Sequence, residues 1–213
     1  MSKKTFKRTP WASWEWAYDF MKAIDGCEPN QAHKAIREFQ EFCHKSKDTD
    51  RTVETVLITQ NIDDLHGQEI RESDILMNAE EDSFEEEDET EISFQPHVYE
   101  IYGNIRYMHC SNEKQKHSND LLVAPTPDEA GTYRENLPYF GTKPRDKILI
   151  PKCLKCGGVM KPHCNYSDKA YTITYSRSKA MFEFVDNSDC LLVIGTGLET
   201  SFTKSIIEAF LDR

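Results

Sequence analysis

Gln60, Asn61, Asp63, Asp64 and His66 fall within residues 60–66, directly after the apolar run Val56-Leu57-Ile58. A segment that combines carboxamides, a carboxylate and an imidazole is too polar to prolong a buried strand. At the carboxyl end of such a strand, polar side chains are where open α/β sheets hold their ligands. This set suits sugar hydroxyls and a ligand that itself bears a carboxamide, and the structural alternative is a capped strand-to-helix turn. The other reactive side chains are thiols. Seven cysteines with one C-x-x-C pair, Cys153 and Cys156, argue against a disulfide framework in 213 residues and favour a reducing, intracellular compartment. Metal ligation is the use that this spacing favours.

The elements that must position these groups follow from periodicity. Pro29-Asn30 opens a helical pattern in which Ala32, Ala35, Ile36, Phe39 and Cys43 recur at spacings of three and four, the stripe of a helix packed on a sheet and ending near His44. Thr52 to Thr59 reads as a buried parallel strand, and Cys190 to Ile194 as a second. Tyr171 to Phe184 and Phe202 to Leu211 have helical spacing. This alternation predicts an α/β fold with a doubly wound parallel, Rossmann-like sheet. Trp11, Trp14, Trp16, Tyr18 and Phe20 stand at core-like spacing in an N-terminal helical segment, residues 1–27. Ser111 to Lys147, rich in Pro, Asn, Asp and Thr, reads as a long loop excursion.

The formal net charge is −11, but nine of the twelve residues 80–91 are acidic, which leaves −2 to the rest of the chain. Nucleic-acid binding is therefore not indicated. The acidic, low-complexity stretch 78–96 cannot bury apolar area and is expected to be disordered. No apolar run approaches the length of a membrane span. The first fourteen residues hold Lys3, Lys4, Lys7 and Arg8 without an acid, a composition that fits a mitochondrial targeting segment and equally a solvated tail.

Thr59-Gln60-Asn61-Ile62-Asp63-Asp64-Leu65-His66 resembles the T-Q-N-I-D-x-L-H segment of the sirtuins, the NAD-dependent protein deacylases. Further blocks resemble that family in order. Glu28-Pro29-Asn30 with Ala32-His33 matches P-N-x-x-H, and Glu100-Ile101-Tyr102-Gly103-Asn104 matches the catalytic E-x-H-G-[NS] segment. Cys153 to Gly158 with Lys161-Pro162 matches the second zinc half-site, and Leu192 to Thr196 the cofactor strand L-V-x-G-T-S. The resemblance implies a sirtuin-type core over 28–105 and 161–213, with a small zinc-module-like insertion over 106–160. It further implies nucleotide contacts from Gln60, Asn61, Asp63, His66, Gly195 and Thr196. For zinc it implies Cys110, Cys153 and Cys156, with a fourth ligand from His109, Glu113, His117 or solvent.

The departures from the family pattern bear on activity. The catalytic His position is Tyr102, eight residues before Cys110 as in the family. A phenol ionises near pH ~10 and is a poor base at neutrality, and loss of a positioned base costs roughly 10²- to 10⁴-fold in rate. No G-A-G-x-S phosphate loop occurs, Gly197 stands where the family has Ser, and Glu113 replaces a zinc cysteine. Cys164 to Lys169 lacks the apolar and glycine positions of the peptide-pairing V-V-x-F-G-E segment. The overall look is that of the desuccinylase-type sirtuins, yet Ala17 and Phe20 stand where those carry an acyl-reading Tyr and Arg. The expectation is a sirtuin-like pseudoenzyme, truncated at both ends, with weak or lost NAD affinity and a role as a structural or interaction subunit in a larger assembly. The alternatives are an NAD-dependent protein-lysine deacylase, or a fragment of one, and an NAD or ADP-ribose binding module.

Overall fold

The computed structural model describes residues 3–46, 53–66, 97–115, 117, 121–129, 150–165 and 178–212. The acidic stretch 78–96, most of Ser111 to Lys147, and the start of the helix expected from Tyr171 lie outside the described residues. The chain divides into two compact units, Met1–Ala170 and Tyr171–Arg213.

The first unit begins with α1 (Lys3–Arg8) and α2 (Pro10–Ala23). Its basic start is part of the fold rather than a solvated tail. Phe6 is buried, and the Lys3 ammonium meets Glu113 Oε2 at 2.8 Å. Pro10 occupies the first turn of α2, where its missing N–H costs no helical hydrogen bond. Trp14, Ala17 and Tyr18, at helical spacing, are buried in a core cluster that also holds Ile105, Cys110 and Met160. Trp14 is completely buried, and its indole N–H donates to the Met160 carbonyl at 2.9 Å. Trp16 faces outward and stacks on Phe20.

The third helix, α3 (Gln31–Lys45), starts from a reciprocal cap. Asn30 Oδ1 accepts from the N–H groups of Ala32 and His33 at 2.9 and 3.2 Å, and the Asn30 N–H donates to His33 Nδ1 at 3.3 Å. That arrangement satisfies orphan donors of the first turn. The expected apolar stripe buries less than its pattern suggests. Cys43 and Gln40 are buried, whereas Ala32, Ala35, Phe39 and Phe42 are exposed. The sheet within this unit explains the difference: β1 (Val56–Thr59) and β2 (His97–Glu100) form a parallel pair only two strands wide among the described residues. A helix stripe finds little surface to cover there.

A second, antiparallel sheet has the order β4-β3-β5, from β3 (Gly103–Cys110), β4 (Leu122–Val123) and β5 (Met160–Cys164). Gly103 pairs with Cys164 and Cys110 with Met160, with an irregular register between Gly103 and Met108.

The second unit holds α4 (Ser178–Asp186) and α5 (Ser201–Leu211). Met181, Val185, Phe202 and Ile206 are buried, and the Phe182 and Phe202 rings meet edge to face with centroids 5.7 Å apart. Thr200 caps α5 by accepting from the Thr203 N–H. Cys190 to Ile194 does not form the expected buried strand. It is irregular, it pairs with no strand among the described residues, and Leu192, Val193 and Ile194 are exposed. An apolar run becomes a parallel strand only when neighbours supply hydrogen bonds on its flanks, and its own unit offers two helices.

Candidate functional site

The polar segment after β1 is held at the carboxyl ends of the parallel pair. The Ile101 N–H donates to the Thr59 carbonyl at 3.1 Å, and the Ile105 N–H to the Ile62 carbonyl at 2.9 Å. Two local bonds shape the loop: Asn61 N–H to Thr59 Oγ1 and Leu65 N–H to Asp63 Oδ1, both at 3.1 Å. Asp64 adopts a left-handed φ of +66°, which Asp tolerates better than most residues. Asn61 is exposed, and Gln60, Asp63 and His66 are half-buried.

His66 lies beside His33, with ring centroids 4.3 Å apart. Burial, then the neighbouring His33, holds its pKa below the ordinary imidazole value, against the pull of Asp63. The Pro-Asn-x-x-His block thus builds a helix cap and delivers a ring to the loop.

Between β2 and β3 the chain turns at Ile101-Tyr102. Gly103 has φ +85°, and a Cβ there would stand 2.0 Å from the His163 carbonyl oxygen. The Asn165 N–H donates to the Tyr102 carbonyl at 2.8 Å. The Tyr102 backbone is therefore fixed from β5, and its side chain is half-buried.

Sequence reasoning missed the groups that tie this turn to the loop. Asn104 Nδ2 donates to Asp64 Oδ1 at 2.6 Å and to Glu100 Oε1 at 2.9 Å, while Asn104 Oδ1 accepts from the Arg106 N–H at 3.0 Å. Arg106 Nε sits 3.2 Å from Asp64 Oδ2. Burial pushes the Glu100 carboxyl up to about 7, partly offset by the Asn104 bond, with Asp64 and Asp63 adding to the rise. Burial also raises Asp64, while Asn104 and Arg106 oppose the rise. The Asp-Asp doublet and the Asn after Gly103 were the available signals, but their pairing across forty residues is set by the fold.

At the far end of β3, ligand atoms of Cys110, His117, Cys153 and Cys156 all lie within 4.8 Å of one another, and Cys110 Sγ is 3.5 Å from Cys156 Sγ. The knuckle is closed by Cys153 N–H to Gly158 O and Gly157 N–H to Cys153 O, with Gly157 at φ +68°. Thiolates at about 2.3 Å from a tetrahedral zinc stand about 3.8 Å apart, so this spread fits the ion. His117 Nε2 is buried with no hydrogen-bond partner among the described residues, as expected of an atom meant for a metal. Burial, then the neighbouring thiols, pushes Cys110 up to about 11. Cys153, despite burial, is held below the ordinary thiol value by the N–H groups of Cys156 and Lys155.

Of the other fourth-ligand candidates, His109 Nδ1 lies 3.3 Å from His163 Nδ1, and Glu113 is drawn to Lys3 and Lys161. All seven cysteines are free of disulfides. Gly195, at φ +64°, and Thr196, whose hydroxyl accepts from the Leu198 N–H at 3.2 Å, belong to the second unit.

No family profile matches the chain. An NAD-dependent protein deacylase of Thermococcus kodakarensis is 28% identical over 196 residues, covering 91% of this chain and 55% of the relative. The mitochondrial NAD-dependent protein deacylase sirtuin-5 of Danio rerio is 27% identical over 199 residues, covering 91% and 53%. Among solved structures, a Sir2 homolog–NAD complex superposes with a TM-score of 0.64 at 19% identity, over all of this chain and 60% of that one. Sir2 bound to acetylated peptide gives 0.64 at 14%, over 99% and 66%. The fold is thus the Rossmann-like α/β type with a small cysteine-bearing module. Within that class the chain is similar to sirtuins over about nine tenths of its length. It spans little more than half the length of the relatives it matches.

Proposed function

We propose that this chain carries the nucleotide loop and metal module of an NAD-dependent protein deacylase. The observation that supports it is the polar 60–66 loop clamped at the carboxyl ends of β1 and β2, where α/β sheets take nucleotides. In this reading Gln60, Asn61, Asp63 and His66 bind NAD, which supplies an electrophilic sugar carbon when bound. The carboxamides suit the nicotinamide amide, and the carboxylate and imidazole suit ribose hydroxyls. Residues 106–160 form the metal module, in which Cys110, Cys153, Cys156 and His117 hold zinc and fix the end of β3. Zinc there is structural, because four protein ligands leave no open position.

Tyr102 supports a second reading, a catalytically silent subunit that binds nucleotide weakly and acts through a protein partner. Its phenol can hold or donate a hydrogen bond to a sugar hydroxyl, but it takes a proton poorly at neutral pH. The two readings separate by experiment. NAD titration of the chain by calorimetry tests binding, and nicotinamide release with acetyl- and succinyl-lysine peptides tests turnover. The deacylase reading expects slow release that Tyr102→His raises roughly 10²- to 10⁴-fold. No release from either form, with NAD still bound, leaves the silent subunit. No NAD binding at all removes both nucleotide readings.

A further inference from the structure

We propose that Glu100 and Asn104 are positioning residues for the 60–66 loop, and that a proton on Glu100 sets how firmly they hold it. The inference rests on the nucleotide reading of that loop only for its functional consequence. Asn104 is 2% exposed, and its orientation is dictated because its oxygen already accepts from the Arg106 N–H. Its two N–H bonds must therefore point at the two carboxyls, one to Asp64 and one to Glu100.

The two carboxyls are not treated alike. Asp64 also receives the Arg106 guanidinium, so its negative charge is compensated. Among the described residues Glu100 receives the Asn104 amide and no cation, and a buried charge without compensation is the costly one. Of the two carboxyls, Glu100 is therefore the one that holds a proton more readily. The groups around it are Asp63 and Asp64 from the loop, Asn104 and Arg106 from β3, and Cys164 from β5, whose thiol burial and then the Glu100 charge push up to about 12. Cys164 thus stays a neutral thiol and adds no negative charge beside Glu100.

The Glu100 carboxyl titrates near 7. Below that pH it is neutral, and the Asp64 carboxylate stays paired with Asn104 and Arg106. Above it, a further negative charge faces Asp64 and Asp63, and the repulsion falls on the loop that carries them. Asp64 already sits at φ +66° and is held there by the Asn104 and Arg106 contacts. A bound pyrophosphate would add negative charge nearby and deepen the preference for protonated Glu100.

The test uses the full chain, with ADP-ribose as probe because its charge is constant from pH 6 to 8. Calorimetry at pH 6.0 and 8.0 is expected to show wild-type affinity falling on the order of tenfold, which corresponds to about one proton linked to binding over part of that range. Glu100→Gln, which keeps the acceptor for Asn104 and cannot ionise, should hold the pH 6.0 affinity at both pH values. A flat wild-type profile, or a parallel fall in Glu100→Gln, would overturn the proposal. If ADP-ribose binds at neither pH, the nucleotide reading fails and the lock is read directly instead. Amide exchange of peptides covering 59–66, corrected for the intrinsic pH dependence of exchange, should lose protection from pH 6.0 to 8.0 in wild type and keep it in Glu100→Gln. Equal protection in both proteins at both pH values refutes the lock itself.

Discussion

Gly103→Ala should destabilise the protein far more than an ordinary glycine substitution. Two costs coincide at this position. The φ of +85° is one that L-residues reach only with strain, worth roughly 1–2 kcal/mol. The new methyl would also lie 2.0 Å from the His163 carbonyl oxygen and 2.9 Å from its carbon. Relaxed C···O contacts fall near ~3.3 Å, so β3 and β5 must part by more than an ångström. Both sides of the clash are backbone, and no side chain can swing away. The separation acts where Gly103 pairs with Cys164 and strains the Asn165 N–H to Tyr102 O bond, worth about 1 kcal/mol. With roughly 1–3 kcal/mol more for the overpacked contact, the total is about 3–6 kcal/mol, a large share of a stability of roughly 5–15 kcal/mol. Gly26→Ala is the matched control: its φ is +70° and nothing lies within 4 Å, so only the backbone cost of about 1 kcal/mol remains. Urea unfolding followed by tryptophan fluorescence measures both. Equal losses in the two variants would refute the close approach of β3 to β5 and, with it, the fixed backbone at Tyr102.

Trp14→Phe should cost about 2–4 kcal/mol in the same assay, from lost volume in a fully buried site and a Met160 carbonyl left without its donor; a loss under ~0.5 kcal/mol would place the indole outside the core. Protein purified without added metal should carry about one zinc per chain by elemental analysis, and the Cys153→Ser, Cys156→Ser double variant should carry almost none. Zinc content unchanged in that variant would reject the cluster.

Some of this was legible in the sequence, and the physical reasons for success and failure differ. Trp14 and Tyr18 were readable as core from their spacing, whereas Trp16, placed in the same set, faces outward. The loop after Val56-Leu57-Ile58 was readable because polarity changes abruptly at Thr59. Cys190 to Ile194 was misread, since its composition suits a strand but pairing depends on neighbours elsewhere in the chain. The stripe on α3 failed for a related reason: Ala32, Ala35 and Phe39 follow the helical period, yet they are exposed, with a parallel pair only two strands wide among the described residues. The Cys153-x-x-Cys156 pair was identifiable by spacing and Cys110 by the resemblance, but selecting His117 over His109 and Glu113 required knowing which side chain the fold brings to the three thiols. Glu100 was quoted only as part of a motif, because its environment comes from residues 63, 64, 104 and 164, which no local pattern joins.

The two candidate functional regions of the first unit share one strand. Asn104 and Arg106, at the start of β3, hold Asp64; Cys110, at its end, offers a thiol to the metal cluster. Six residues at about 3.3 Å each separate Asn104 from Cys110, roughly 20 Å of strand. Register with β5 is regular from Met108 to Cys110 and irregular between Gly103 and Met108. An irregular stretch absorbs displacement that a continuous ladder would transmit. The near end is moreover held by contacts of its own, the Ile105 bond to Ile62 and the packing of Gly103 on His163. Metal bound at the far end would therefore order the knuckle and the end of β3 without being needed to hold the loop. That division of labour is why the double cysteine variant should lose its zinc and loosen the module while the β1–β2 pair stays folded.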